Sequence, residues 1–151
     1  TAILVLAAPV IGAAKAAVRR FQERIDDHFL VALASVQRND PAAGYRLAES
    51  TAEIRAAELL LYDAAARLDH LGGVEEVDPV INASIIRDCG WGVRALANAV
   101  DRLYEASGAN AMRADEPIQR LWRDVNAARS HAILTWDHAA NTYSRALLDS
   151  I

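Results

Sequence analysis

Three prolines that follow acidic residues set the frame of this chain. Asp40-Pro41, Asp78-Pro79 and Asp115-Glu116-Pro117 each place a carboxylate just before a proline. Proline is tolerated at the first position of a helix, where its missing N–H has no partner to lose. A carboxylate just ahead of it accepts from the free amides of the first turn and suits the positive end of the helix dipole. Each motif therefore reads as a helix start. The stretches that follow carry apolar residues at helical spacing, such as Leu47, Ile54, Ala57, Leu61, Ala65 and Leu68 after Pro41.

The spacing predicts four long helices. The first runs from about Ala2 to Arg38 and bends near Pro9 and Gly12. The second runs from Pro41 to His70 and stops at Gly72-Gly73. The third runs from Pro79 to Ser107 and stops at Gly108. The fourth runs from about Glu116 to Leu148, with Ile118, Leu121, Val125, Ala128, Ala132, Trp136, Ala139, Tyr143 and Leu147 on its apolar face. No segment alternates with period two, so no strand is expected. Long helices with short links pack as an all-α antiparallel four-helix bundle, here one domain over residues 1–151. Small residues such as Ala13, Ala16, Ala57, Ala95 and Ala99 let the helix axes approach closely.

Hydrophobic residues make up 53% of the 151 positions, more than one bundle core of this size hides. The surplus is expected to face partner subunits or another domain. The net charge of −4 comes from interspersed acids and bases, with no basic block to follow a phosphate backbone, which disfavours nucleic acid. The lone Cys89 excludes an intrachain disulfide and agrees with a reducing cytoplasm. The apolar run from Thr1 to Ala14 lacks an initiating Met and a basic leader, and is too short and alanine-rich for a membrane span. It reads as the interior of a longer protein.

A di-iron bundle needs Glu-x-x-His pairs on facing helices, and no Glu here is followed by His at that spacing, so no metal site is expected. His28 and His70 read as residues near helix ends. Gly90-Trp91-Gly92 interrupts the third helix and signals close approach, by another helix or by a ligand. On a continuous fourth helix, Arg120, Asp124, Ala127, His131, Thr135 and His138 would share one face. His131 is then either a packed residue at the seam or an acid/base group, since imidazole exchanges protons near neutral pH. Arg120 and Asp124 could pair weakly. Arg123 and Arg129 are either solvated or placed for a phosphate.

The stretches Ser107-Gly108-Ala109-Asn110-Ala111, Pro117-Ile118-Gln119-Arg120-Leu121-Trp122-Arg123-Asp124-Val125 and Ala127-Ala128-Arg129-Ser130-His131 resemble the C-terminal helical domain of the acyl-CoA dehydrogenase superfamily. The resemblance is closer to its flavin-dependent monooxygenase branch, the oxygenase components of two-component phenol hydroxylases. Dehydrogenases of the superfamily commonly carry a Tyr-Glu-Gly-Thr-like motif shortly after the matching Arg-Asp. This chain reads Ser130-His131-Ala132-Ile133-Leu134 there and has no glutamate base.

The resemblance implies a homotetrameric three-domain enzyme. Reduced FMN or FAD would arrive from a separate flavin reductase, and a phenol would be hydroxylated next to its hydroxyl. It also implies roles: His131 as the catalytic histidine, Arg24, Arg120 and Arg123 towards the flavin, Asp124 and Trp91 at the substrate. Two alternatives stand beside it: an acyl-CoA dehydrogenase-type oxidoreductase domain, and a helical module that only oligomerises.

Overall fold

The computed structural model describes residues 2–31, 34–72 and 77–151. The chain forms α1 (Ala2–Asp27), a short hairpin of β1 (Phe29–Leu30) and β2 (Ser35–Val36), and a 3-10 turn at Gln37–Asn39. Then follow α2 (Pro41–His70), α3 (Pro79–Ala106), a second 3-10 turn at Ala109–Met112, α4 (Pro117–Arg129) and α5 (Trp136–Asp149). The acid-proline starts hold. Asp40 accepts from the Ala42 amide at 3.0 Å and Asp78 from the Val80 amide at 2.7 Å. Glu116 precedes Pro117 without a capping hydrogen bond from its side chain. α2 ends at His70, whose Nδ1 lies 2.7 Å from the Ala66 carbonyl. Gly73, part of the expected stop, lies outside the described residues.

α3 is the central rod and packs against α1, α2, α4 and α5. Its buried residues, from Ala83 to Leu103, lie on more than one face. The main core gathers Ile3, Ala7, Val10 and Ala14 of α1 with Ile54 and Leu61 of α2, Val93 and Leu96 of α3, Val125 of α4, and Leu134. A smaller core around Phe21, Leu103 and Ile118 closes one end. Fully burying a side chain such as Leu96 or Phe21 contributes roughly 1.5–3 kcal/mol.

Two boundaries differ from the sequence reading. The first helix stops at Asp27, eleven residues before the expected Arg38. Asp26 and Asp27 are unfavourable at the negative end of a helix, and Phe29, Leu30 and Val31 behind them suit extended backbone. The strands expected to be absent occur here, pairing Phe29 with Val36 and Leu30 with Ser35. α1 itself runs through Pro9 as one helix. Its 26 residues include a window of mean hydropathy 1.7, enough by length and composition to cross a membrane. One stripe of it, from Ile3 to Ile25, is buried within the bundle.

The expected fourth helix is two helices. α4 ends at Arg129 and α5 begins at Trp136, with a turn at Ser130–Thr135 between them. Both run antiparallel to α3. Trp122, Asn126 and Arg129 meet Asp101; beyond the turn, Trp136 lies by Arg94 and Tyr143 by Arg87. The expected single stripe from Arg120 to His138 is therefore broken, and Ala132 and Leu147 are exposed. α3, by contrast, continues unbroken through Gly90-Trp91-Gly92.

Candidate active-site turn

The turn between α4 and α5 is anchored by its own backbone and by the core. The His131 amide donates to the Ala128 carbonyl at 3.0 Å. The His131 carbonyl accepts from the Leu134 amide at 2.8 Å and the Thr135 amide at 3.1 Å. Leu134 plugs into the core with 2% of its surface exposed. The His131 side chain faces out to solvent. His131 is thus neither the mid-helix residue nor the packed seam residue of the sequence reading. It is an open imidazole on a backbone fixed from below.

Gly90 forms the floor beneath this turn. A Cβ on Gly90 would lie 2.5 Å from the Ala139 Cβ and 3.6 Å from the carbonyl oxygens of Leu134 and Thr135. The close approach signalled by Gly90 is therefore by another helix and its leading turn. Gly92 faces α2 instead, where a Cβ would meet Leu61 Cγ at 3.1 Å.

Beside the turn is an apolar hollow of about 400 Å³, lined by Ala56, Leu60, Trp91 and Trp136, with Arg87 and Asp88. Trp91 is 41% exposed. Asp88 is buried and bonded by both Arg67 and Arg87, the latter through Nε at 2.8 Å. Arg87 also lies over the Tyr143 ring, 4.3 Å from its centroid, and Arg94 lies 5.6 Å from the Trp136 centroid. Cys89 is enclosed alongside; burial, and then the Asp88 charge, push its thiol up to about 11. Trp136 and the Arg67-Asp88-Arg87 group were missed from sequence. An acid set among the apolar residues of α3 was the available signal, because a buried carboxylate needs cationic partners.

The remaining candidates separate. Arg120, Arg123 and Asp124 lie on the solvent face of α4, where Arg120 and Asp124 sit 3.9 Å apart in an open pair. Trp122 and Arg129 turn the other way. Trp122 stacks on Tyr104 at 4.7 Å between centroids, and its Nε1 donates to Asp101 at 2.7 Å. Arg129 donates to the same carboxylate at 3.0 Å, so it is neither free nor placed for a phosphate. Arg24 donates through Nε to the Ser107 carbonyl at 2.9 Å and lies 3.8 Å from Glu116. It lines a polar groove of about 340 Å³ with Arg20, Asp27 and His28, at the opposite end of α4 from His131. The structure thus brings Trp91 and Trp136 together at the hollow, with His131 on the turn just ahead of Trp136 but outside the hollow's lining. It leaves Arg120, Arg123 and Asp124 on the solvent face of α4, outside that hollow, and Arg24 at the far end of α4.

Residues 4–136 match the family model described as acyl-CoA dehydrogenase, C-terminal domain. The oxygenase subunit HsaA of a flavin-dependent monooxygenase from Mycobacterium tuberculosis is 33% identical over 84% of this chain. The oxygenase component of an FADH2-dependent resorcinol hydroxylase from Rhizobium sp. is 27% identical over 95%. The chain spans about a third of the length of these relatives, 33% and 37%. Among solved structures, XiaF from Streptomyces sp., in complex with FADH2 and glycerol, superposes with a TM-score of 0.88 at 27% identity. That match covers 97% of this chain and 38% of XiaF. The chain belongs to the acyl-CoA dehydrogenase C-terminal domain family, and its relatives include oxygenase components of flavin-dependent hydroxylases.

Proposed function

We propose that this chain is the C-terminal domain of a reduced-flavin-dependent monooxygenase acting on a phenolic substrate, with the Ser130–Thr135 turn as one wall of its pocket. The observation that carries the reading is the open imidazole of His131 on an anchored turn. It stands at the place where the resembling dehydrogenases carry their glutamate base. The names of the relatives favour oxygenation over dehydrogenation in the same direction.

The residues present fit such a ligand set. Arg120 and Arg123 turn their guanidiniums to solvent and suit the phosphate of FMN or FAD. Arg24 would reach a flavin only by giving up its bond to Ser107. Trp91 and Trp136 offer aromatic faces to a flat substrate; Asp124, exposed on α4, lies outside the lining of that hollow. When bound, reduced flavin supplies the electrons and activates oxygen. His131 then takes the proton of the phenol at a ring nitrogen, which raises electron density on the neighbouring carbon. Leu134 and Gly90 anchor the backbone that carries that ring.

The reading extends to a flavin reductase that delivers the cofactor, a cytoplasmic setting, and a homotetramer. The exposed Val5, Tyr45, Leu59, Tyr62 and Leu148 favour assembly. They also support the second reading, in which the domain serves association alone. Anaerobic titration of reduced FMN and FAD onto the full-length protein separates the two. Binding is expected, and the double variant Arg120→Glu/Arg123→Glu is expected to weaken it by about tenfold or more, as loss of charge-assisted contacts would. Unchanged affinity in that variant removes both arginines from the site. No flavin binding by an intact oligomer leaves association alone.

A further inference from the structure

We infer that Gly90 is a positioning residue for His131, acting through the packing of α3 against the first turn of α5. This rests on the proposed role of His131 and adds the element that sets where its imidazole stands.

The contacts form a short closed chain. The Gly90 backbone lies directly beneath the Ala139 methyl, at a spacing that leaves no room for a second methyl. The Ala139 amide donates to the Thr135 carbonyl at 3.1 Å, and the Thr135 amide donates to the His131 carbonyl at 3.1 Å. Leu134 ties the same turn to the core and shares the His131 carbonyl. A group added at Gly90 must push against Ala139, while the Leu134 and Thr135 carbonyls, at 3.6 Å, stay in ordinary contact beside it. None of these is the loose end of a flexible side chain. The displacement passes through two hydrogen bonds to the backbone of His131. Gly92, two residues on, is the contrast: its near neighbours are all side-chain atoms of Leu61, Cγ the nearest at 3.1 Å, and none belongs to the α4–α5 turn.

A helix interior disfavours glycine, so alanine would be the better residue at 90 if the helix alone mattered. Tight packing of α5 by itself could be met by a glycine at either position of the contact. The present arrangement puts the small residue on the rigid central helix and leaves the methyl on the helix that carries the turn. The turn is thereby seated against backbone, the least yielding surface available.

The test uses the full-length protein with reduced flavin and a phenolic substrate that it hydroxylates. Two quantities are read: hydroxylated product per oxygen consumed, and amide hydrogen exchange across residues 130–135. In Gly90→Ala, product per oxygen is expected to fall by about tenfold to a hundredfold, with faster exchange in the turn. Ala139→Gly opens a gap at the same contact and is expected to give a smaller loss of the same kind. The double variant Gly90→Ala/Ala139→Gly moves the methyl across the contact and is expected to restore both readouts, an opposite-sign coupling that independent destabilisation does not give. If Gly90→Ala does not fold, the Ala139→Gly and double variants carry the test. Folded variants with unchanged exchange at 130–135 overturn the inference, as does a double variant no better than its parents. His131→Ala, run in parallel, keeps the two claims apart. If it leaves product per oxygen unchanged, the role of His131 fails, while the exchange data still decide whether Gly90 sets the turn.

Discussion

Glu58 keeps only 6% of its side chain exposed on α2, yet Lys15 of α1 bonds one of its oxygens and Arg55 lies 3.2 Å from the other. Lys15 is the main reason that its carboxyl titrates below the ordinary 4.5. A depressed carboxylate contributes stability that is complete above its ordinary value and is lost as pH falls through the folded value. Lys15→Met should therefore destabilise the protein at neutral pH, and the gap to wild type should close below pH 4.5. Denaturant unfolding across that range measures it; a constant gap would show that the pair is not the source. At this scale the sequence was legible where one residue answers one backbone need, as at Asp40 and Asp78. It was not legible where a partner is far along the chain: Lys15 and Glu58 are 43 residues apart. Leu134 was a missed signal. It lies nine positions from Val125, half a turn out of phase on a continuous helix, yet both are buried. Only a break between them puts both in the core.

α4 and α5 show how far element boundaries could be read. Proline and its acid marked the start of α4, but nothing as local marked the end. Ala128, Ala132 and Trp136 kept a spacing of four that a continuous helix would also have. The break is decided by tertiary contacts, with Leu134 entering the core and Gly90 admitting Ala139. The hairpin after α1 was hidden in the same way, because alanine-rich sequence around it favours helix and Asp26-Asp27 gave the only local warning. Beside the packing of Val125, α4 is held to α3 by Asp101, which accepts from Trp122 at 2.7 Å, Asn126 at 2.9 Å and Arg129 at 3.0 Å. Asp101→Ala takes the acceptor from Trp122 Nε1 and Arg129, while Asn126 keeps its bond to the Trp122 carbonyl at 3.0 Å, and should cost about 2 kcal/mol. Thermal unfolding of the variant measures this, and a loss near zero would mean that water replaces the carboxylate freely. The flavin reading makes a further demand on this element: α4 must present Arg120 and Arg123 outward while Trp122 and Arg129 grip α3, and the helical phase satisfies both.

The molecule as a whole is a bundle organised around α3, with more exposed apolar side chains than a closed domain needs. Exposed Tyr45, Leu59 and Tyr62 on α2 and Leu148 on α5 account for part of the apolar excess seen in composition. The sequence made that surplus visible and could not say where it would fall. The candidate site was partly legible in the same sense. His131 stood out by resemblance and Trp91 by its flanking glycines, but the exposure of His131 on a turn and the pairing of Trp91 with Trp136 depend on the broken fourth rod. The direct measurement of the central claim is product formed per reduced flavin oxidised, compared between the full-length protein and His131→Ala. The account predicts that hydroxylation in His131→Ala falls by about a hundredfold, while flavin is still oxidised and the oxygen is released as peroxide. Equal rate and equal product per flavin in the two proteins would contradict it.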